Sequence, residues 1–250
     1  MNVKTYRTAE VAAAVGVHPN TVRLYEKLGL IPKPERQANG YRVFTALHIQ
    51  QLALARTAFQ IEVLRGGLRR KIVAVVRLSA AGDFDAALAL AQEYLDGLRA
   101  ERRRAEEAIG IVQGILAGKT AAQGLRLKRR EAADALGVSV DTLRNWEMNG
   151  LLTVRRRENG HRMYTDEDIR RLKIIRTLRC AGYSLEAILR MLRQLSEDPS
   201  ADIRAALNTP APSEDVVSVC DRLILSLTEA ERNAQRILAM LCRMKKGDSR

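Results

Sequence analysis

The stretch NWEMNGLLTVRRRENGHRMYT, residues 145–165, decides how the chain is read. A helical run stops at Gly150, three arginines follow, and a polar Asn-Gly turn leads through HRMY to Thr165. About 120 residues earlier, LYEKLGLIPKPERQANGYRVFT (residues 24–45) has the same layout. A shift of 121 pairs Glu10/Glu131, Gly16/Gly137, Thr21/Thr142, Arg23/Arg144, Glu26/Glu147 and Gly29/Gly150. After a one-residue deletion, a shift of 120 pairs Asn39/Asn159, Gly40/Gly160, Arg42/Arg162, Thr45/Thr165 and Ile49/Ile169. Two long copies are a duplicated domain; a solenoid needs shorter and more numerous units.

Each copy yields the same local structure. A short helix, about Ala9–Val15 or Arg130–Leu136, ends at Gly16 or Gly137, since a residue without Cβ suits a left-handed stop. Pro19 fits a first helical turn and Ser139 an N-cap, so a second helix follows at once and ends at Gly29 or Gly150. Two short helices around a glycine turn form a helix-turn-helix. Asn39-Gly40 and Asn159-Gly160 are hairpin turns, because both residue types accept positive φ. A third helix starts at Thr45 or Thr165, where Thr165 and Asp168 have capping-box spacing. The spacing therefore predicts a winged helix-turn-helix twice over.

The rest of the chain agrees with this reading. At 250 residues it has room for two domains, and its 4% aromatic content with abundant Ala, Leu, Arg and Glu favours helices. The formal net charge is +13, which points to an anionic partner, nucleic acid first and a membrane surface second. No segment approaches the roughly 18 unbroken apolar residues of a membrane span, and the N-terminus does not read as a signal peptide. Cys180, Cys220 and Cys242 form no CxxC pair, which fits a reducing cytoplasm. Cys220 and Cys242 lie about 33 Å apart along a helix, too far to share a metal. His18, His48 and His161 lack ligand-spaced partners and read as cap, surface or wing residues. No cofactor or metal is expected. With no glycine-rich phosphate loop, nucleophile elbow or His-Cys pairing, no enzyme is expected either.

The second helix of each copy carries the candidate contacts. Val22, Tyr25 and Leu28, like Leu143 and Trp146, recur at core spacing. The opposite stripe is Asn20, Arg23, Leu24 and Lys27 in the first copy, and Asp141, Arg144, Asn145 and Met148 in the second. Such a stripe, set in a major groove, places Arg and Asn against base edges and phosphates. One such stripe alone reads more simply as a solvated face; arginine at the same place in both copies favours the groove. The hairpins add arginines able to reach phosphates or a minor groove. The candidate set is Asn20, Thr21, Arg23, Lys27, Arg36, Tyr41 and Arg42, then Asp141, Thr142, Arg144, Asn145, Arg155, Arg156, Arg157, His161 and Arg162.

EVAAAVGVHPNTVRLYEKLGLIP…NGYRVFT and EAADALGVSVDTLRNWEMNGLLT…NGHRMYTDEDIRRL together resemble the DNA-binding domain of MerR-family transcription regulators. In the second copy the likeness runs on through IIRTLRCAGYSLEAILRML. The resemblance implies that Arg23, Arg144, Arg42 and Arg162 contact DNA, that Tyr25 and Trp146 support the recognition helix, and that promoter DNA and RNA polymerase are partners. Two departures stand out: Leu24 and Asn145 replace the family's aromatic, and LRGGLRRKI (residues 64–72) replaces its GYSLEAI-like segment.

After each copy comes a long amphipathic segment. Phe84, Leu88, Ala91, Leu95, Leu98, Ala105, Ile109, Val112 and Leu116 keep a 4-3 spacing broken only at Arg102. Val216, Cys220, Leu223, Leu227, Ala230, Ala234, Ile237, Leu241 and Met244 keep it throughout. Both are coiled-coil seams. Family members dimerise through a long helix in an antiparallel coiled coil, and the short linker KTAAQG lets one chain join two such halves. The expected fold is mainly α: two winged helix-turn-helix domains with small β wings, each followed by a long helix of an antiparallel coiled coil. The expected segments are 1–82, 83–118, a linker 119–125, 126–212 and 213–246. The expected activity is sequence-specific regulation of transcription by an intramolecular pseudo-dimer that distorts promoter DNA at an asymmetric site in the cytoplasm. A homodimer with four winged helices is the competing arrangement. An architectural DNA-bending protein is the competing function, and an RNA-binding module is disfavoured by the scarcity of aromatics.

Overall fold

The computed structural model of the chain describes residues 4–60, 67–118, 124–154, 162–209 and 222–248. The described residues are mostly helical, with one short hairpin, and fall into two compact units. The first unit holds residues 1–100 together with 227–250, and the second holds 101–226.

In the first unit, α1 (Thr8–Val15) opens with the Glu10 carboxylate accepting from the Arg7 N–H at 2.6 Å. It closes at Gly16, whose φ of 67° lets Val17 N–H return to the Ala12 carbonyl at 2.9 Å. Pro19 begins α2 (Pro19–Lys27), capped by His18 Nδ1, which accepts from Asn20 N–H at 3.2 Å. Leu28 departs from its expected core role, being 46% exposed. The helix ends one residue earlier, and Gly29 (φ 66°) turns the chain back so that Leu30 and Ile31 fill the core instead.

The hairpin pairs β1 (Glu35–Arg36) with β2 (Arg42–Val43) in antiparallel register, Arg36 opposite Arg42. Asn39 Oδ1 accepts from Tyr41 N–H at 3.1 Å, and Gly40 takes φ 81° to complete the turn. A two-way backbone bridge between Tyr6 and Phe44 ties the hairpin to the chain before α1. Phe44 is fully buried with Val11, Ala12, Val22, Ile31 and Leu52.

Thr45 starts α3 (Ala46–Ala58), its N–H donating to His48 Nδ1 at 3.0 Å. Helix α3 packs on α4 (Leu68–Ala80) around a buried polar pair. Gln51 Nε2 donates to the Ser79 carbonyl at 2.6 Å, and Ser79 Oγ returns a bond to Gln51 Oε1 at 2.9 Å. Both side chains are excluded from water, so each supplies what the other needs.

The second unit repeats the plan with α6 (Arg129–Leu136) and α7 (Val140–Met148), the latter capped by Ser139 Oγ accepting from Thr142 N–H at 3.0 Å. Leu127 and Tyr164 form the bridge equivalent to that of Tyr6 and Phe44. The expected Asn159-Gly160 turn lies outside the described residues. The expected capping box is present: Asp168 Oδ2 accepts from Thr165 N–H at 2.8 Å at the start of α8 (Asp166–Ala181). Gly182 (φ 112°) and the Ser184 cap lead into α9 (Leu185–Glu197), which packs on α10 (Ile203–Asn208).

The two long helices are α5 (Phe84–Ala117) and α11 (Leu223–Asp248). Leu223, Leu227, Ala230, Ala234, Ile237, Leu241 and Met244 are all buried within the single chain. On α5 the seam residues Phe84, Ala91, Leu95, Leu98, Ala105, Ile109 and Val112 are buried, whereas Leu116 is 38% exposed near the helix end. Each fully buried leucine contributes about 1.5–3 kcal/mol. Within the first unit, Lys245 near the end of α11 forms an ion pair with Asp85 near the start of α5. Val216 and Cys220 lie outside the described residues, as does most of the KTAAQG linker.

Candidate nucleic-acid interface

Helix α2 buries Val22 against the core and turns Asn20, Arg23, Leu24 and Lys27 to solvent, with Thr21 half-buried. Helix α7 buries Leu143 and Trp146 and exposes Asp141, Arg144, Asn145 and Met148, with Thr142 again half-buried. The stripes read from periodicity are therefore the exposed faces. Arg23 Nη1 donates to Asn20 Oδ1 at 3.1 Å, which orients the guanidinium along α2. The second copy has Asp141 where the first has Asn20, and Met148, 76% exposed, where the first has Lys27.

The hairpin of the first copy exposes Tyr41 at 71%, and Arg36 Nη1 donates to the Gly40 carbonyl at 3.4 Å. Arg42 is held differently from a free tip arginine. Its Nε donates to Glu26 Oε2 at 2.6 Å, fastening β2 to α2. The equivalent pair joins Arg162 to Glu147 on α7 at 3.1 Å. Both glutamates are largely buried, at 11% and 9% side-chain exposure, so the charges meet in poorly hydrated surroundings where pairing is strong. The second copy adds two groups: Arg129 Nη2 reaches Glu147 Oε2 at 2.8 Å, and the Tyr164 hydroxyl donates to Glu147 Oε1. Burial, then the bond to Glu147, pushes the Tyr164 phenol above its usual pKa, so it remains a donor.

Glu26, Glu147, Arg129 and Tyr164 did not figure among the sequence-derived candidates. A signal existed in the repetition of Glu26/Glu147 alongside Arg42/Arg162, but the partners lie 16 and 15 residues apart with a hairpin between them. Arg155, Arg156, Arg157 and His161 lie outside the described residues. Among the described residues, no three His, Cys, Asp or Glu side chains cluster as metal ligands, and Cys180 and Cys242 are exposed thiols outside any disulfide. No described helix is long and apolar enough to cross a membrane.

Comparison with known proteins yields one family for both halves. Residues 7–44 match the MerR family regulatory protein family, and residues 127–195 match the MerR HTH family regulatory protein family. The HTH-type transcriptional regulator ZntR of Escherichia coli is 31% identical over 103 residues, covering 41% of this chain and 71% of that protein. The chain belongs to the MerR family. The mercuric resistance operon regulatory protein of Bacillus cereus is 45% identical over 47 residues, 19% of this chain and 36% of that MerR protein. CueR of Escherichia coli is 40% identical over 53 residues, 21% of this chain and 39% of the relative. The chain thus spans well under half the length of these two MerR relatives. Among solved structures, HiNmlR, a MerR family regulator lacking the sensor domain and bound to promoter DNA, shares 28% identity. That match covers 48% of this chain and 78% of HiNmlR, with a TM-score of 0.28.

Proposed function

We propose that the chain is a sequence-specific double-stranded DNA-binding regulator of transcription, acting in the cytoplasm as a single-chain pseudo-dimer. The observation that carries this reading is the duplicated device itself. An exposed helix face with arginine at the same site, Arg23 or Arg144, is fastened through a glutamate to a wing arginine, Arg42 or Arg162. Recognition helix and wing then present cations together, as groove and phosphate contacts require. Promoter DNA is the partner, with RNA polymerase a second partner suggested by the family. Unlike stripes, Asn20 and Lys27 against Asp141 and Met148, favour an asymmetric site, and the regulator acts by distorting DNA shape as well as by reading bases.

In this reading α5 and α11 pair as an antiparallel coiled coil inside one chain. The Lys245–Asp85 pair and the burial of the α11 seam support it. Selection from a random duplex pool tests the function: an asymmetric sequence motif is expected, whereas retention of random DNA with no motif defeats sequence-specific regulation. Light scattering tests the arrangement, with a mass near 27.9 kDa expected. A dimeric mass with helices exchanged between chains would rule out the pseudo-dimer.

A further inference from the structure

Arg129 breaks the symmetry of the duplication. The first copy has Thr8 at the equivalent place in α1, and Phe44 where the second has Tyr164. Only Glu147 therefore gathers three donors. Its Oε2 meets Arg129 at 2.8 Å and Arg162 at 3.1 Å, while its Oε1 takes the Tyr164 hydroxyl. Arg129 Nε also donates to that hydroxyl at 3.3 Å. One carboxylate offers too little charge for two guanidiniums, and each guanidinium carries five N–H donors.

Beside this cluster lies a hollow of about 350 Å³, walled by Arg129, Arg144, Glu147, Met148 and Arg162. Three arginines against one glutamate leave it cationic. Arg144 belongs to the exposed stripe of α7, so the hollow adjoins the face expected to meet DNA. Planar guanidiniums held in fixed orientation match phosphate oxygens in paired hydrogen bonds. The Glu147 carboxylate, which both Arg129 and Arg162 reach, supplies that orientation.

We propose that this hollow seats one phosphodiester group of the DNA backbone, with Arg129 as a phosphate contact confined to the second copy. The proposal rests on the DNA-binding reading. It gives the two halves different electrostatic grips: the second copy has an added anchor on the backbone.

The test uses the full chain and the duplex recovered by selection, with affinity measured across a salt series. Each phosphate contact contributes about 0.9 to the slope of log K against log salt. Arg129→Gln is expected to flatten the slope by about that amount. Tyr164→Phe, which keeps Arg129, is expected to leave the slope as in the parent. Thr8→Arg, which writes the missing arginine into the first copy, is expected to steepen it by about 0.9. Duplexes carrying a single neutral methylphosphonate locate the contact: one position must weaken the parent chain and leave Arg129→Gln unaffected. An unchanged slope in Arg129→Gln with DNA binding intact overturns this proposal alone, as does the lack of any Arg129-dependent position. Titration with inorganic phosphate in the absence of DNA distinguishes a free-anion site. Saturable binding lost in Arg129→Gln would assign the hollow to a small anion and overturn the backbone assignment. Failure of the parent chain to bind any duplex would sink both this proposal and the DNA-binding reading.

Discussion

Arg42 reaches from β2 to Glu26 on α2, Nε to Oε2 2.6 Å, with only 11% of the glutamate side chain exposed. Replacing Glu26 by Gln removes the charge that holds this arginine. The expected cost is about 1–3 kcal/mol, the range for a hydrogen bond to a charged group that loses its partner. Glu147→Gln is expected to cost more than Glu26→Gln, because Arg129, Arg162 and Tyr164 all lose an ionised acceptor. Urea denaturation of the two variants gives the ranking, and equal costs would show that Arg129 and Tyr164 add nothing.

The stripes predict a division of labour. Arg23→Gln and Arg144→Gln each remove an exposed guanidinium, so the melting temperature is expected to stay within the small range of surface substitutions. Binding is expected to weaken by about 1–3 kcal/mol in each case. The two variants should lose discrimination in opposite halves of the selected site. Anisotropy with half-site mutant duplexes reads this out, and loss in the same half for both variants would end the two-copy assignment.

His48 gives the first unit a sensitivity to acid. Its Nδ1 accepts from Thr45, and its Nε2 is buried with no hydrogen-bond partner among the described residues. Desolvation therefore holds its pKa below the ordinary value near 6.5. A histidine held neutral in the fold contributes stability that is present above about pH 6.5 and is lost as pH falls through the lower folded value. His48→Gln keeps an acceptor for Thr45 without the titration. Between about pH 7.5 and about pH 5.5, the melting temperature is expected to fall further in the parent chain than in His48→Gln.

Two glycines of α5 respond oppositely to alanine. A Cβ at Gly110 meets nothing within 4 Å, so Gly110→Ala is expected to stabilise by about 0.5–1 kcal/mol through helix propensity alone. At Gly97 the added Cβ would sit 2.7 Å from Leu68 Cδ2, and Leu68 is 3% exposed on α4. There the buried leucine must shift, and the gain in propensity is expected to be lost or reversed. Thermal denaturation of both variants settles the contrast.

The features legible in the sequence are those with local causes. Gly16, Gly29, Gly137 and Gly150 announce left-handed stops because the backbone there needs positive φ, and all four have it. Ser139 and Thr165 announce caps within three residues, and the α11 seam is written at fixed spacing. Leu28 misled because periodicity assumes that the helix continues, whereas the chain turns at Gly29 and Leu30 takes the buried place. The glutamate clamps and Arg129 stayed hidden because folding, not spacing, brings them together. Arg129 and Glu147 are 18 residues apart on different helices, and no periodic pattern links them.

The first compact unit is discontinuous, and this sets an order for the chain's emergence from the ribosome. Residues 1–100 are made early, but the segment 227–250 that completes their unit comes after the whole of 101–226. At about 5–20 residues per second, the intervening stretch takes roughly 6–25 s to synthesise. During that interval α5, whose Asp85 pairs with Lys245, waits without that late-made segment. The second unit, continuous in sequence, is able to close before the first. An apolar helix face left open for seconds is a target for chaperones and for association with neighbouring nascent chains, so the stretch before residue 227 is where a slowed ribosome would do the most harm to yield.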